Sequence, residues 1–261
     1  MENFNSIEIK AGDLMRRCEK QYTPQFTSFL TPEEQVAVQK LVREYPDVFV
    51  LFTGGFKNAE RRVAAFFPGD IYVYPENDEQ RRELETFAEM EFVEIAGSGF
   101  VNIGHRDVLG SLMSLGLKRE TLGDIIVTED SKKAYVAVMP GIAEYICANL
   151  ERVARDKVKV SVVPIKNVPE KKQNFSDMSL TLASVRLDAL VSGMLSISRD
   201  KAKGYIASGR VAVNHSEVTR CDGDFSEGDI VSVKGEGKFI VDAFLGQSAK
   251  GRFRVIVRKF L

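Results

Sequence analysis

Hydrophobic and polar positions in the first eighty residues alternate in a way that predicts a small α/β module. Thr31 and Glu34 form a T-x-x-E capping box, and Pro32 suits the first position of the helix that follows. Three further elements are predicted, a buried strand, a tight turn and a second helix, at Val48–Phe52, Gly54–Gly55 and Asn58–Phe67. We therefore expect an N-terminal α/β domain over residues 1–80.

Residues 81–166 show a regular succession of strand and helix patterns. Their order is β-α-β-β-α-β, at Phe92–Ile95, Arg106–Leu115, Asp124–Thr128, Ala134–Met139, Pro140–Leu150 and Val158–Pro164. The short turn Glu129–Ser131 between the second and third strands is typical of a hairpin. The order predicts a ferredoxin-like, RRM-like central domain.

Residues 167–180 are polar and contain Pro169 without clear periodicity, which predicts a linker. A third domain, 181–261, is then expected to hold two short helices and four strands, the strands at Val211–Asn214, Ile230–Val233, Lys238–Ala243 and Phe253–Lys259. The fold class is thus α+β in three small domains.

Composition and charge narrow the function. The chain of 261 residues is 44% hydrophobic and 28% charged, has no apolar run long enough for a membrane span, and begins without a signal peptide, so we expect a cytoplasmic protein. Its three cysteines are spaced too widely for a zinc motif. Residues 180–261 carry 13 Lys and Arg against 9 Asp and Glu, a net charge of +4, whereas the remainder is net −5. A basic C-terminal part indicates a polyanionic partner.

The stretch Ser198–His215, "SRDKAKGYIASGRVAVNH", predicts a short helix that presents cations beside a strand. Ser198 suits the N-cap and Gly209 the C′ position. Ala202 and Ile206 are expected to face inward. Arg199 and Lys203 are expected to face outward, so that alanine at both would weaken binding of the polyanionic partner with little loss of stability.

This stretch, with "VRLDAL" before it and "EGDIVSVKGEGKF" after it, resembles an S4 RNA-binding domain. The matching positions are Arg186, Leu187, Asp188, Ser198, Arg199, Ala202, Ile206, Gly209, Val211, Val213, Asn214, Gly228, Asp229, Ile230 and Val233. His215 departs from the family, which often has glycine there. The resemblance implies an S4 (αL-type) fold that binds structured RNA mainly through phosphates. We expect the RNA-binding residues to be Arg186, Ser198, Arg199, Lys201, Lys203, Tyr205, Gly209, Arg210 and Asn214.

Two further segments, "GGFKNAERRVAAFFP" from Gly54 and "GHRDVLGSLMSLGLKRETLGDI" from Gly104, resemble the YlmH family of bacterial S4 proteins. The resemblance spans nearly the whole chain. It implies an RNA-binding factor that acts on the ribosome. No cluster of Cys, His or carboxylates and no accepted nucleotide loop occurs in the sequence, so we expect a non-enzymatic monomer without a cofactor. Its implied partners are RNA of the large ribosomal subunit and tRNA on stalled subunits in quality control. The family is also associated, by gene neighbourhood, with cell division.

Secondary RNA contacts are expected outside the third domain. The predicted strand, the Gly54–Gly55 pair and the predicted helix follow one another directly, which is typical of a tight strand-to-helix turn. As an alternative, this turn would hold an RNA phosphate near Lys57, Arg61 and Arg62. Lys118 and Arg119 would form a basic tip on the central domain. The strand Ala134–Met139 lacks the aromatic pattern of RRM proteins, so base stacking on the central sheet is not predicted.

Other function classes are less well supported by the residues. "NIGH" at Asn102–His105 differs from the synthetase motif at its first residue. Asp188 has too short a chain after it for a pseudouridine synthase domain, so a local role is expected for it, such as a surface salt bridge or a helix contact. An RNA-modifying enzyme that uses the S4 domain for delivery stays as the alternative, and a protein–protein adaptor as a third interpretation.

Overall fold

The computed structural model describes residues 2–170 and 173–261. The chain divides into two compact units, Met1–Lys171 and Lys172–Leu261. The first unit contains both of the sheets for which the sequence predicts separate domains. In the described residues, no helix is long and apolar enough to cross a membrane.

The N-terminal sheet has three antiparallel strands, β1 (Gln25–Leu30), β2 (Val48–Thr53) and β3 (Arg62–Pro68), in the order β1-β3-β2. Two helices, α1 (Glu2–Gln21) and α2 (Pro32–Leu41), cover one face and bury Met15, Val38 and Phe66 against it. The predicted capping box is present: the Thr31 hydroxyl accepts from the Glu34 amide, and the Glu34 carboxylate accepts from the Thr31 amide.

The helix predicted at Asn58–Phe67 is wrong, because the apolar half of that segment forms β3. This strand lies between two others, and both of its faces are covered, so its side chains are buried without alternation. A short apolar run of this kind cannot be told from a buried helix by its period. Gly54 and Gly55 do lie in the turn that leaves β2.

The central sheet follows α3 (Asp78–Glu85) and has the predicted βαββαβ order, with one added hairpin. Its elements are β4 (Glu91–Ala96), α4 (His105–Ser114), β5 (Leu122–Val127), β6 (Lys133–Val138), α5 (Ile142–Asn149), the hairpin β7 (Arg152–Val153) and β8 (Asp156–Lys157), and β9 (Lys159–Val162). The strand order is β5-β6-β4-β9, all antiparallel. Both helices lie on one face and bury Val108, Leu112 and Ile146 there.

The opposite face of the central sheet packs against the N-terminal sheet. Phe92 of β4 and Ala137 of β6 contact a cluster that contains Phe29 of β1 and Val63 of β3, all of them buried. This is the face on which RRM proteins stack bases. It is therefore closed at this end by the protein's own chain.

The second unit is a six-stranded antiparallel sheet covered by two helices. Its elements are β10 (Phe175–Leu182), α6 (Leu187–Leu195), α7 (Arg199–Ala207), β11 (Val211–Val213), β12 (Ser216–Glu217), β13 (Ile230–Val233), β14 (Gly237–Gln247) and β15 (Phe253–Phe260). The order is β10-β15-β14-β13-β11-β12. The two helices and four of these strands are those predicted.

The predicted linker 167–180 is shorter in the structure, because residues from Phe175 onward belong to β10. That strand pairs with β15 along its whole length, from Phe175 opposite Phe260 to Leu182 opposite Phe253. Leu180 and Leu182 enter the core of the unit. The strand pattern was missed because β10 is an edge strand and most of its residues outside the core are polar, as in a linker.

Candidate nucleic-acid interface

Helix α7 is fixed in position at both ends and along one face. The Ser198 hydroxyl accepts from the Lys201 amide at 3.3 Å, which caps the first turn as predicted. At the other end Gly209 has φ +69, and the amides of Gly209 and Arg210 donate back to Ile206 and Tyr205, both at 3.0 Å, in a Schellman motif. Because Ala202 and Ile206 are fully buried, the opposite face meets solvent.

Asp188 is the buried anchor of the basic cluster. It lies in the first turn of α6, and its side chain is 1% exposed. Nη2 of Arg199 donates to both of its carboxylate oxygens at 2.9 Å, and Nε of Arg186 lies 3.4 Å from one of them. Burial raises the pKa of the Asp188 carboxyl. The hydrogen bonds that the two arginines donate, together with their positive charges, outweigh burial and hold that pKa below its usual value.

The two arginines are therefore brought together by one carboxylate, although eleven residues separate Asp188 from Arg199. The expectation that Arg199 simply faces outward is incomplete, since its side chain is 45% exposed but its guanidinium is bound to the buried Asp188 carboxylate. Sequence analysis gave Asp188 a local role and missed its burial. The motif R-L-D, read with the arginine that opens α7, is the signal that links the three residues.

Lys201 and Lys203 are the exposed cations of α7. Both side chains lie at the surface, and Nζ of Lys203 is 3.6 Å from the almost fully exposed Asp200 carboxylate. An ion pair at that distance in solvent is weak and exchanges readily for another anion. These two lysines can therefore turn toward a phosphate with little disturbance of the fold.

Tyr205 and Arg210 extend the cluster toward the strands. The Arg210 guanidinium lies over the Tyr205 ring, 3.9 Å from its centroid, and donates to the Lys234 carbonyl at 2.8 Å. The Tyr205 hydroxyl donates to Glu236 at 2.9 Å. The pair is thus a preformed cation–π stack beside α7.

Asn214 has a structural role in the turn between β11 and β12. Asn214 and His215 both have positive φ, +47 and +65, as a type I′ hairpin turn requires. The Asn214 side chain donates to Asp229 at 2.8 Å and accepts from the Ile230 amide at 2.9 Å. His215 thus occupies the position where glycine is common, and the turn forms nevertheless.

The arginines predicted as secondary contacts are largely committed to the fold of the first unit. Residues 57–61 form turns and bends rather than the start of the predicted helix, so Lys57 and Arg61 do not lie at a helix N-terminus. The Arg61 guanidinium donates to the carbonyls of Leu122, Phe29 and Arg119 at 2.9–3.3 Å, and burial lowers its pKa. These bonds join the N-terminal and central sheets.

Arg62 and Arg119 are also held by backbone carbonyls. Nε of Arg62 donates to Ala59 at 2.8 Å, and Nη1 of Arg119 donates to Leu122 at 2.6 Å. Burial and the nearby charge of Arg61 lower the pKa of Arg119 to about 10. Lys57 and Lys118 are exposed and remain candidates for secondary RNA contacts.

Within the described ranges, no group of three or more His, Cys, Asp and Glu residues could hold a metal ion.

Comparison with known proteins links the chain to one group. A family model described as "YlmH, N-terminal" matches residues 8–70, and one described as "Putative RNA-binding domain in YlmH" matches residues 83–167. The chain is 33% identical over 248 residues to "Ribosome-associated protein quality control protein P2" of Bacillus subtilis (strain 168), a match that covers 94% of this chain and 91% of the relative. The names describe RNA binding and quality control, and none indicates an enzyme family.

A solved structure shares the fold. "Cell division protein ylmH from Streptococcus pneumoniae" superposes with a TM-score of 0.50 and 21% identity, over 65% of this chain and 96% of that one. At this identity the likeness concerns the fold alone.

Proposed function

Because the chain belongs to the YlmH family, we propose that it is an RNA-binding protein of ribosome-associated quality control whose second unit holds RNA phosphates. The family model over residues 83–167 and the printed name of the Bacillus subtilis relative support the RNA and ribosome part of this proposal. It would act in the cytoplasm as a monomer and without a cofactor or catalysis.

The observation that carries the proposal is the anchored basic surface of the second unit. Arg186 and Arg199 share one buried carboxylate, and Lys201 and Lys203 are exposed on the same short helix. A buried acid that positions two arginines reduces the side-chain entropy lost when they meet a phosphate. Such a surface recognises the backbone of a folded RNA rather than its sequence.

The finer features of the proposal are an S4-type second unit and a site on large-subunit RNA or on tRNA. Helices α6 and α7 followed by β11 are in the order that the S4 resemblance implies. Ribosomal RNA and tRNA both present closely spaced phosphates on structured backbones, which suits a rigid cluster of cations. A role in cell division would follow indirectly from work on the ribosome.

The test is the double variant Lys201→Ala/Lys203→Ala in the full-length chain. Binding to purified large ribosomal subunits and to tRNA is measured over a series of salt concentrations. We expect weaker binding and a log–log salt slope smaller by about 2, one for each lost phosphate contact.

A matched control removes the same charge elsewhere in the unit. Lys250 and Arg252 are exposed at the turn between β14 and β15, so Lys250→Ala/Arg252→Ala changes the net charge equally. If both double variants bind alike, or if the α7 variant binds at full strength, the interface does not lie on α7.

A further inference from the structure

The loop between β4 and α4, residues 97–104, presents a phenylalanine to solvent. The Phe100 side chain is 93% exposed, and Val101 beside it is 41% exposed. Single exposed apolar residues are ordinary on protein surfaces. Three features of its surroundings set Phe100 apart: a loop held by hydrogen bonds, basic residues at the foot of the loop and the closed face of the nearby sheet.

The loop is held on both sides of Phe100. Before it, the Ser98 amide donates to the buried Asp156 carboxylate at 2.8 Å, and the Gly97 amide donates to the Lys132 carbonyl at 2.9 Å. After it, the Ile103 amide donates to the Ser131 carbonyl at 2.9 Å, and the Ile103 side chain is 1% exposed. The exposed ring therefore stands on a constrained backbone.

Basic residues surround the foot of this loop. Ala96, at the end of β4, is opposite Lys133 of β6 and Lys159 of β9. Nζ of Lys132 donates to the Asn102 side chain at 3.0 Å. Two more exposed cations lie near these residues in the sequence: Arg106 is two residues after Gly104, and Lys157 directly follows Asp156.

The neighbouring carboxylates are engaged in the fold. Glu94 accepts from the Tyr135 hydroxyl at 2.6 Å and from Lys133, and Asp107 accepts from the Gly104 amide at 3.0 Å. Asp130 accepts from the Thr128 hydroxyl and the Lys132 amide. These carboxylates are thus held in place by the fold, whereas the side chains of Lys157 and Lys159 are exposed and can turn toward a phosphate.

Because one end of the sheet face is closed, an RNA base would have to stack at the other end, where β4 leads into the loop 97–104. Phe92 and Ala137 are covered by the N-terminal sheet, so bases cannot stack there as they do on an RRM. Phe100 lies beyond the other end of β4 and is open. An exposed aromatic ring near cations suits base stacking that tolerates any sequence, because every base has a face that can stack.

We propose that Phe100 stacks on an unpaired RNA base, with Lys132, Lys157 and Lys159 facing the flanking phosphates. The base must be unpaired because a paired base has both faces covered by its neighbours in the helix. This inference rests on the proposed function and adds a second RNA site, in the first unit, to the one on α7. It also gives residues 83–167 an RNA contact that does not use the sheet face.

The absence of tryptophan from the chain provides a direct test. The Phe100→Trp variant of the full-length protein has a single tryptophan, placed at the tip of the loop. Titration with a single-stranded RNA of about 12 nucleotides and mixed sequence should quench its fluorescence, because a stacked base contacts the indole ring. Val73→Trp is the matched control, since Val73 is 80% exposed at a site away from this loop. Its fluorescence should change little.

Affinity for the same RNA completes the test. Phe100→Ala should bind at least about fivefold more weakly, the lower end of the contribution of one stacked base, and Phe100→Tyr should bind like the wild type. Equal binding by Phe100→Ala together with no selective quenching would overturn the inference. So would a loss of affinity for whole ribosomal subunits without a loss for protein-free RNA, since the occupant would then be a protein.

The two proposals fail in different ways. If Lys201→Ala/Lys203→Ala weakens binding while the Phe100 variants behave like the wild type, only the stacking site is refuted. If quenching occurs but the α7 variant binds RNA at full strength, the proposed α7 interface is refuted and the stacking site stands.

Discussion

Replacing Arg199 with alanine should destabilise the second unit, which distinguishes Arg199 from the lysines of the same helix. The substitution removes the two 2.9 Å hydrogen bonds that Nη2 donates to Asp188 and leaves a carboxylate that is 1% exposed beside Arg186, whose Nε is 3.4 Å away. Bonds to a charged group contribute about 1.5–3 kcal/mol. Because Arg199 is 45% exposed, solvent screens part of this, and we expect a loss of about 1.5–2 kcal/mol.

A loss of that size is readily measured. A unit of this length shifts its melting temperature by about 4–8 °C per kcal/mol, so Arg199→Ala should melt roughly 6–16 °C lower than the wild type at neutral pH. Thermal unfolding followed by circular dichroism gives the value. Lys201→Ala and Lys203→Ala are the controls on the same helix, and each should melt within about 2–4 °C of the wild type.

The pH dependence identifies Asp188 as the origin of the loss. The pKa of Asp188 is lower in the folded protein than the value of about 3.9 for an unfolded chain. The stability from the pair is therefore fully present above pH 4 and disappears as the pH falls through the folded pKa. The gap between wild type and variant should close in strong acid. A gap that persists unchanged at pH 2, or no gap at pH 7, would refute this account.

Two further outcomes are expected. RNA affinity should fall steeply with rising salt because counterions are released when phosphates are neutralised, and a flat log–log plot in a filter-binding assay would contradict the electrostatic interface. The fragment 173–261 should fold alone and bind RNA more weakly than the full chain. The shorter fragment 181–261 lacks most of β10 and exposes the edge of β15, so it should melt at a lower temperature than 173–261. Equal melting temperatures for the two fragments would show that β10 is dispensable.

Local signals in the sequence were sufficient for several elements. The capping box at Thr31, the βαββαβ order of the central sheet, and the caps of α7 at Ser198 and Gly209 all depend on residues within a few positions of each other. The inward positions Ala202 and Ile206 followed from helix period alone. The family resemblance is confirmed by the 33% identical relative.

What the sequence did not reveal depends on long-range contacts. Strand β3 was predicted as a helix because its burial on both faces comes from partners distant in the chain. The pairing of β10 with the last strand, and the carbonyls that hold Arg61, likewise join distant segments. A count of charges cannot tell an arginine that holds two sheets together from one that is free for RNA. The RNA-binding role of the α7 residues stays a prediction.

The packing of the N-terminal sheet against the central sheet has a consequence for the chain while it is being synthesised. Phe29 and Val63 are made early, but the residues that cover them include Ala137, which follows much later in the chain. At about 5–20 residues per second, a nascent N-terminal sheet keeps an apolar face open for several seconds. Apolar surface that is exposed in this way during folding is prone to association with other chains. The sheet face that is closed to bases in the finished protein is thus an open apolar surface while the protein is being made.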